Sequence, residues 1–391
     1  MASIKKRGDS YTITVSGGYD SKGKQVRQYM TWTPPKGMTE GKIEKEVKRQ
    51  ALLFEEKCKD LVIGGSVKFE TLADEWFDMV ESKKLLRPRT IDRMKELRDR
   101  TYTAIGHLPV NKITARHIQK FIDNLAESGV NKRTGGGLSA KTQKHHLDFI
   151  SDVLKYAIDC RLIENNPCTR VKIANEQTKE REVYTVEEAQ AFLEKLKDEP
   201  LKYQAFFFLA AYGGLRRGEL LGLEWKDIDL STGVTNISRT SLYTSSRGVF
   251  TDTTKTKGSQ RSIIAADSVI SVLKQYKLWQ TEERLRLGSK WHNTDRLFTT
   301  WDGRPMCDTA PGTWLKKFCV QNGFRVVNIH SFRHLYASLM ISAGVDVKTV
   351  SAVLGHSNAS TTLNIYAHAF AEAKATATNA VADILDGKKH A

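Results

Sequence analysis

Three separated stretches of the sequence concentrate cationic and imidazole side chains. They are Gly-Gly-Leu-Arg-Arg-Gly-Glu-Leu at 213–220, Lys-Thr-Lys-Gly-Ser-Gln-Arg-Ser-Ile at 255–263, and His-Ser-Phe-Arg-His at 330–334, which leads on to Leu-Gly-His-Ser-Asn-Ala-Ser-Thr-Thr-Leu-Asn-Ile-Tyr at 354–366. Singly, each has a bland reading: Arg216 or Arg333 as a salt-bridging surface arginine, His330 or His356 as a hydrogen-bonded structural histidine, Tyr366 as a half-buried aromatic. Phosphoryl transfer without a metal gives a physical reason to group them. In-line attack on a phosphodiester builds negative charge on the equatorial oxygens, which preorganised cations neutralise, and guanidiniums do so with planar bidentate geometry. The nucleophile needs a base and the leaving alkoxide an acid. Two arginines, a lysine, two histidines and a tyrosine complete that requirement. The motifs of other hydrolytic and nucleotide chemistries, Gly-x-Ser-x-Gly, His-Glu-x-x-His and the phosphate loop ending Gly-Lys-Ser/Thr, do not occur in the sequence, nor does a tight Asp/Glu cluster suited to magnesium.

The grouping needs elements that position it. His330 and Arg333 stand three apart at the start of a predicted helix ending at Gly344, which puts them on one face. Gly355 suits the residue just past the next helix, so His356 falls in the turn after it, and Ser360 is placed to cap the short helix leading to Tyr366. Between 233 and 264 the sequence alternates like strands, so that Lys255 and Lys257, two apart, share one strand face and either could reach the phosphate. Upstream, 67–172 carries four segments of helical periodicity, three with a Ser or Thr cap, and reads as a bundle of roughly four helices. Its Gly135-Gly136-Gly137 reads as a flexible connection. Residues 1–63 read as a small antiparallel sheet around a Gly-Tyr-Asp-Ser-Lys-Gly turn, followed by a helix from about Thr39 to Leu61, with Gly64-Gly65-Ser66 as a hinge. The charged stretch 173–183 joins the bundle to the rest. The expected fold is therefore mainly α with small β-sheets, multidomain: a small sheet plus helix, a helical bundle, and a mixed α/β domain over 184–366.

With a formal charge of +16 on 391 residues, the chain concentrates polyanions, nucleic acid foremost. No apolar run approaches the ~20 residues that span a bilayer, and the N-terminal sequence lacks a signal peptide's apolar stretch, so a cytoplasmic protein without membrane partners is expected. The five cysteines are scattered and without a Cys-x-x-Cys pair, which indicates buried thiols in a reducing compartment and neither a disulfide framework nor a zinc site.

The order Arg216, Lys255, His330-x-x-Arg333, His356, Tyr366, set in GGLRRGEL, KTKG, HSFRH and LGHSNASTTLNIYAH, resembles the active-site boxes of the tyrosine recombinases, the phage integrase family. The resemblance runs from about Tyr184 to the end and extends into the bundle through IGHLPVNKIT and LIENNPC; Gly213 departs from a frequent Thr at a position outside the site. It implies that Arg216 and Arg333 clamp a scissile phosphate, Lys255 rather than Lys257 protonates the leaving 5′-oxygen, His330 assists as general base, and His356 hydrogen-bonds a phosphate oxygen. Tyr366 attacks to give a 3′-phosphotyrosyl link, and Glu219 orients the arginine helix. No cofactor and no metal are implied.

The same resemblance makes 67–172 a core-binding domain, 184–366 the catalytic domain, and the N-terminal sheet an arm-site-binding module like that of temperate-phage and conjugative-transposon integrases. The implied function is a bacterial site-specific recombinase that integrates and excises a mobile element. Its partners would be double-stranded DNA at core and arm-type sites and three further copies in a tetramer on the synapse, with an excisionase and a host DNA-bending protein as accessory partners. A type IB strand-passing topoisomerase, a non-catalytic DNA-binding regulator and a chromosome-dimer resolvase are the alternatives. The complete catalytic set disfavours the regulator, and the N-terminal module disfavours the resolvase. The Ala-rich tail 367–391, with Phe370, Val381, Ile384 and Leu385 at helical spacing, is expected to dock on a neighbouring protomer.

Overall fold

Alternation of Tyr11, Ile13 and Val15 with polar residues turns one face of a strand inward, and this pattern builds the first element group. In the computed structural model, which describes residues 2–19, 25–35, 37–60, 67–174, 183–253, 260–356 and 358–366, β1 (Ser3–Arg7), β2 (Ser10–Tyr19) and β3 (Gln25–Trp32) form an antiparallel meander. Helix α1 (Glu40–Asp60) lays Val47 and Ala51 against Ile13 to make a small core. All five residues of β1 are exposed, so Lys5, Lys6 and Arg7 lie along a solvated edge strand, a placement that also discourages edge-to-edge pairing. The turn at 20–23 and the hinge at 64–66 lie outside the described residues.

The bundle comprises α2 (Phe69–Ser82), α3 (Pro88–Glu96), α4 (Arg98–Thr101), α5 (Ala115–Ala126) and α6 (Ala140–Asp159). Phe69, Trp76, Phe77 and Phe149 interlock at its centre, Phe77 and Phe149 stacking at 5.5 Å. Thr114 and Ser139 cap α5 and α6 through their side chains. The other expected cap fails: α2 starts at Phe69, ahead of Thr71, with no capping side chain on Lys68, and α3 starts on Pro88 instead. The second predicted helix is also not continuous. It breaks at Leu97 and finishes as a π turn over Tyr102–Gly106, where the Tyr102 hydroxyl donates to Asp74 at 2.8 Å. The glycine run is not a loose connection. The Gly129 and Asn131 amides donate to the Gly135 and Gly136 carbonyls at 2.8 Å, and Gly137 runs so close to α5 that a Cβ there would lie 2.0 Å from the Ala126 oxygen.

The molecule divides into two compact units, Met1–Thr178 and Lys179–Ala391. The second unit is built around α8 (Leu201–Gly213), whose Phe206, Phe207, Phe208 and Leu209 are all buried, the mark of a helix enclosed on every side. Around it stand α7 (Val186–Leu196), α9 (Arg217–Gly222), α10 (Asp267–Leu287), α11 (Ala310–Gln321) and α12 (Ile329–Ser342), which bring Phe192, Phe318 and Phe332 into one aromatic core. The strand-like region forms two antiparallel pairs, β4 (Val234–Ile237) with β7 (Arg261–Ile264) and β5 (Arg239–Thr244) with β6 (Gly248–Thr253). Two short helices follow, α13 (Val347–Leu354) and α14 (Ala359–Ile365). Lys255 and Lys257, most of 173–183, and the tail 367–391 fall outside the described residues.

Candidate active site

A helix leaves its last carbonyls without intrahelical partners, and these carry the negative end of the helix dipole. At the end of α13 three consecutive carbonyls are each taken by a guanidinium from a different element. Arg261 Nε donates to Val353 O at 2.6 Å, Arg333 Nη2 to Leu354 O at 2.5 Å, and Arg216 Nη2 to Gly355 O at 3.0 Å. Local sequence makes this convergence possible. Gly355 adopts φ 64°, ψ 44°, the left-handed conformation that ends α13, and a Cβ there would sit 2.8 Å from Arg261 Nη1. Gly214, also left-handed at φ 58°, ends α8 and lets the chain turn into Arg216 at the start of α9, while accepting a second bond from Arg333 Nη1 at 2.8 Å.

Glu219 gathers two of the three arginines. Its carboxylate accepts from the Arg216 amide at 2.9 Å and from Arg216 Nη1 at 2.7 Å, closing a box at the start of α9, and it meets Arg261 bidentately at 3.2 and 2.9 Å. Burial opposes ionisation of this carboxyl, but the hydrogen bonds and charge of Arg261, followed by those of Arg216, hold its pKa below the ordinary carboxylate value. The expected role of Glu219 in orienting the arginine helix is thus widened to a bridge between α9 and β7. Arg333 is 1% exposed. Desolvation, then the charge of Arg216, pushes its pKa down to about 9, which still leaves it cationic at neutral pH. Cations held this close with one carboxylate between them form a site short of negative charge.

Beside this cluster lie the imidazoles and the phenol. His356, in the turn after α13 as expected, has Nδ1 2.7 Å from Thr362 Oγ1, which is itself 2.6 Å from Ser351 Oγ. Burial and the neighbouring Arg333, Arg216 and Arg261 lower its pKa to about 4, so it is neutral at pH 7. In the tautomer whose Nδ1 accepts from the Thr362 hydroxyl, the neutral ring carries its proton on Nε2 and can donate it there. Tyr366 follows the last residue of α14 and is buried; its Oη lies 2.8 Å from His334 Nδ1. The cap of α14 is Asn358, whose side chain accepts from the Ser360 amide, and not Ser360 itself. His330 is exposed on the first turn of α12, its ring edge-on to that of His334 with centroids 4.7 Å apart.

Arg216, Arg333, His356 and Tyr366 are therefore brought into one site. Lys255, like its alternative Lys257, lies in the undescribed span that directly precedes β7. Sequence reading missed two residues. Arg261 sits inside the quoted KTKGSQRSI stretch, but its partner Glu219 is 42 positions away and no periodicity links them. His334 was visible one helical turn after His330, a spacing that puts both on one face.

Comparison with known proteins finds relatives along the chain. The description "Phage integrase family" matches residues 182–373, and "Phage integrase central domain" matches residues 69–174. A protein named tyrosine recombinase XerC-like from Caldanaerobacter subterraneus subsp. tengcongensis is 31% identical over 97% of this chain and 98% of its own length. The ICEBs1 integrase of Bacillus subtilis is 26% identical over 98% and 100%. Among solved structures, the Tn1549 transposon integrase in complex with a circular intermediate DNA shares the fold, with a TM-score of 0.65 at 20% identity, covering 80% of this chain and all of that one.

Replacing Arg261 by methionine keeps bulk at the foot of β7 but leaves buried Glu219 with Arg216 as its remaining described ion-pair partner. Removing one member of a buried pair costs about 3 kcal/mol or more, so Arg261→Met is expected to lower the urea midpoint of the full chain by a corresponding amount. A midpoint equal to that of the unsubstituted protein would mean that Arg216 alone satisfies the carboxylate.

Proposed function

The chain belongs to the phage integrase family of tyrosine recombinases, and on that premise we propose that Tyr366 is the nucleophile with which it breaks and rejoins DNA. It is an enzyme, a site-specific DNA recombinase of the type that integrates and excises mobile elements. The observation that carries the assignment is the cluster of guanidiniums on the end of α13, charge-compensated by Glu219 and adjoining a buried phenol. Such a cluster suits the trigonal-bipyramidal phosphorane-like state of a phosphodiester, whose equatorial oxygens gain negative charge.

In this reading Arg216 and Arg333 clamp the scissile phosphate, and neutral His356 donates a hydrogen bond to one of its oxygens through Nε2. In the family pattern His330 assists as base. Tyr366 Oη attacks phosphorus, the 5′-oxygen leaves with a proton from Lys255, and a 3′-phosphotyrosyl link forms. Because that ester keeps the energy of the phosphodiester, a 5′-hydroxyl from another strand reverses the step without ATP. The protein would work in a bacterial cytoplasm, on double-stranded DNA.

The proposed division of labour follows the chain: 67–172 grips the core site, 184–366 does the chemistry, and 1–63 binds distant arm sites. The tail 367–391 docks on a neighbouring copy within a tetramer, with an excisionase and a host DNA-bending protein as accessories. Support for an integrase over a topoisomerase or a chromosome-dimer resolvase comes from the full-length match to the ICEBs1 integrase, which takes in the basic N-terminal sheet. A second DNA-binding module on one chain raises the effective concentration of the catalytic unit at the core site.

Three measurements examine this function. With element-end DNA, Tyr366→Phe is expected to give no SDS-resistant adduct while binding normally, and Arg216→Ala and Arg333→Ala to slow adduct formation by roughly 10²–10³, the cost of losing one oxyanion donor; an adduct in the Phe variant sinks the assignment. Sulfur in place of the bridging 5′-oxygen makes the leaving group acidic enough, at a pKa of about 8.5, to depart unaided. Lys255→Ala should then cleave the sulfur duplex near the wild-type rate and the ordinary duplex very slowly, whereas rescue of Lys257→Ala instead would transfer the role of acid to that residue. Deleting residues 1–63 should depress integration between full-length sites far more than cleavage of a short core duplex, and equal losses would make the segment a structural one.

A further inference from the structure

We infer that His334, one turn beyond His330, is the catalytic residue that takes the proton of the Tyr366 phenol, an inference that rests on Tyr366 being the nucleophile. A phenol has an ordinary pKa of about 10 and an imidazole one of about 6.5, so at neutral pH the attacking oxygen carries a proton that an unprotonated imidazole within hydrogen-bond reach can accept as the bond to phosphorus forms. His334 is an imidazole within that reach, with Nδ1 2.8 Å from Oη and the two rings inclined at 56°. Both residues are buried, which keeps bulk water from serving as the acceptor.

The other two imidazoles are placed for different work. His356 Nδ1 is engaged by Thr362 at 2.7 Å, and His330 is on the exposed first turn of α12, where its ring lies against the His334 ring. His334 is also coupled to the clamp by the backbone itself. It is the neighbour of Arg333, so the same turn of α12 that seats a guanidinium on Leu354 O sets the imidazole against Tyr366.

The step balances as follows. The Oη–P bond forms while the Oη proton passes to Nδ1; the P–O5′ bond breaks and the 5′-oxygen takes a proton from Lys255. On rejoining, a 5′-hydroxyl displaces Tyr366 and gives its proton back to Lys255, while the imidazolium returns its proton to Oη. Charge also bears on the transfer. An imidazolium beside Arg333 and Arg216 is repelled less once a phosphate neutralises the guanidiniums, so the transfer that accompanies attack is favoured with DNA in the clamp.

His334→Asn provides the test, because the Asn amide oxygen can occupy the place of Nδ1 and accept the same hydrogen bond but cannot take the proton. Adduct formation is measured from pH 5 to 9 on a nicked core duplex, with binding followed by gel shift. The unsubstituted enzyme should show a rate that rises through one ionisation to a plateau. His334→Asn should bind DNA equally well, cleave roughly 10²-fold slower or worse, and lose that ionisation, while His330→Asn keeps it. As a second variant, His334→Ala should recover rate on addition of imidazole, in proportion to its basic form, and His330→Ala should not. A His334→Asn enzyme that cleaves within about threefold of wild type with the ionisation intact, or loss of the ionisation in the His330 variants alone, overturns the inference while leaving Tyr366 as nucleophile. An adduct formed by Tyr366→Phe overturns both.

Discussion

Three successive carbonyls at the end of one short helix hold the catalytic unit's charges in place. Each guanidinium that seats on α13 arrives from elsewhere in the sequence: Arg216 from the start of α9, Arg261 from the start of β7, Arg333 from α12. The helix end supplies partial negative charge and unpaired acceptors, so it tolerates an approach of like charges that side chains alone would resist. Glu219 then relieves part of the repulsion. The remainder is left over, and in the proposed reaction a diester phosphate completes it. The arrangement that crowds cations on one helix end would then serve an anion placed among them.

The phenol beside the cluster is held in a related way. Tyr366 is kept in a buried position and bonded to an imidazole, and the turn preceding it is fixed by the hydrogen-bonded series Ser351, Thr362 and His356. Its position is thus set by neighbours on α12, α13 and α14 together. A displacement of α14 would disturb both the phenol and the neutral imidazole beside it.

Much of this was readable in residue types. Phosphate chemistry needs cations, a base, an acid and a nucleophile, and of the residues singled out for it Arg216, Arg333, His356 and Tyr366 come together in one place in the structure. Gly355 announced the end of α13 because a left-handed residue there favours glycine. What escaped notice depended on distance along the chain. Arg261 looked like one more basic residue near a strand until β7 brought it to Glu219, and His334 acquired its meaning only from the return of α14. Local competition explains the smaller misses. Asn358 captures the Ser360 amide ahead of the serine hydroxyl, and the second bundle helix yields at Leu97 to a π turn that no periodicity marks.

The arginines read the backbone of α13 and not its side chains, and this has an evolutionary consequence. Apart from Ser351, whose hydroxyl reaches Thr362, point substitutions along Val347–Leu354 leave the three acceptors in place so long as packing is kept, because every peptide offers the same carbonyl. Inserting or deleting one residue between the Asp346 cap and Gly355 is another matter: it turns the helix end by about 100° and shifts it by about 1.5 Å, scattering all three acceptors at once. The site therefore constrains the length of that helix more tightly than most of its composition.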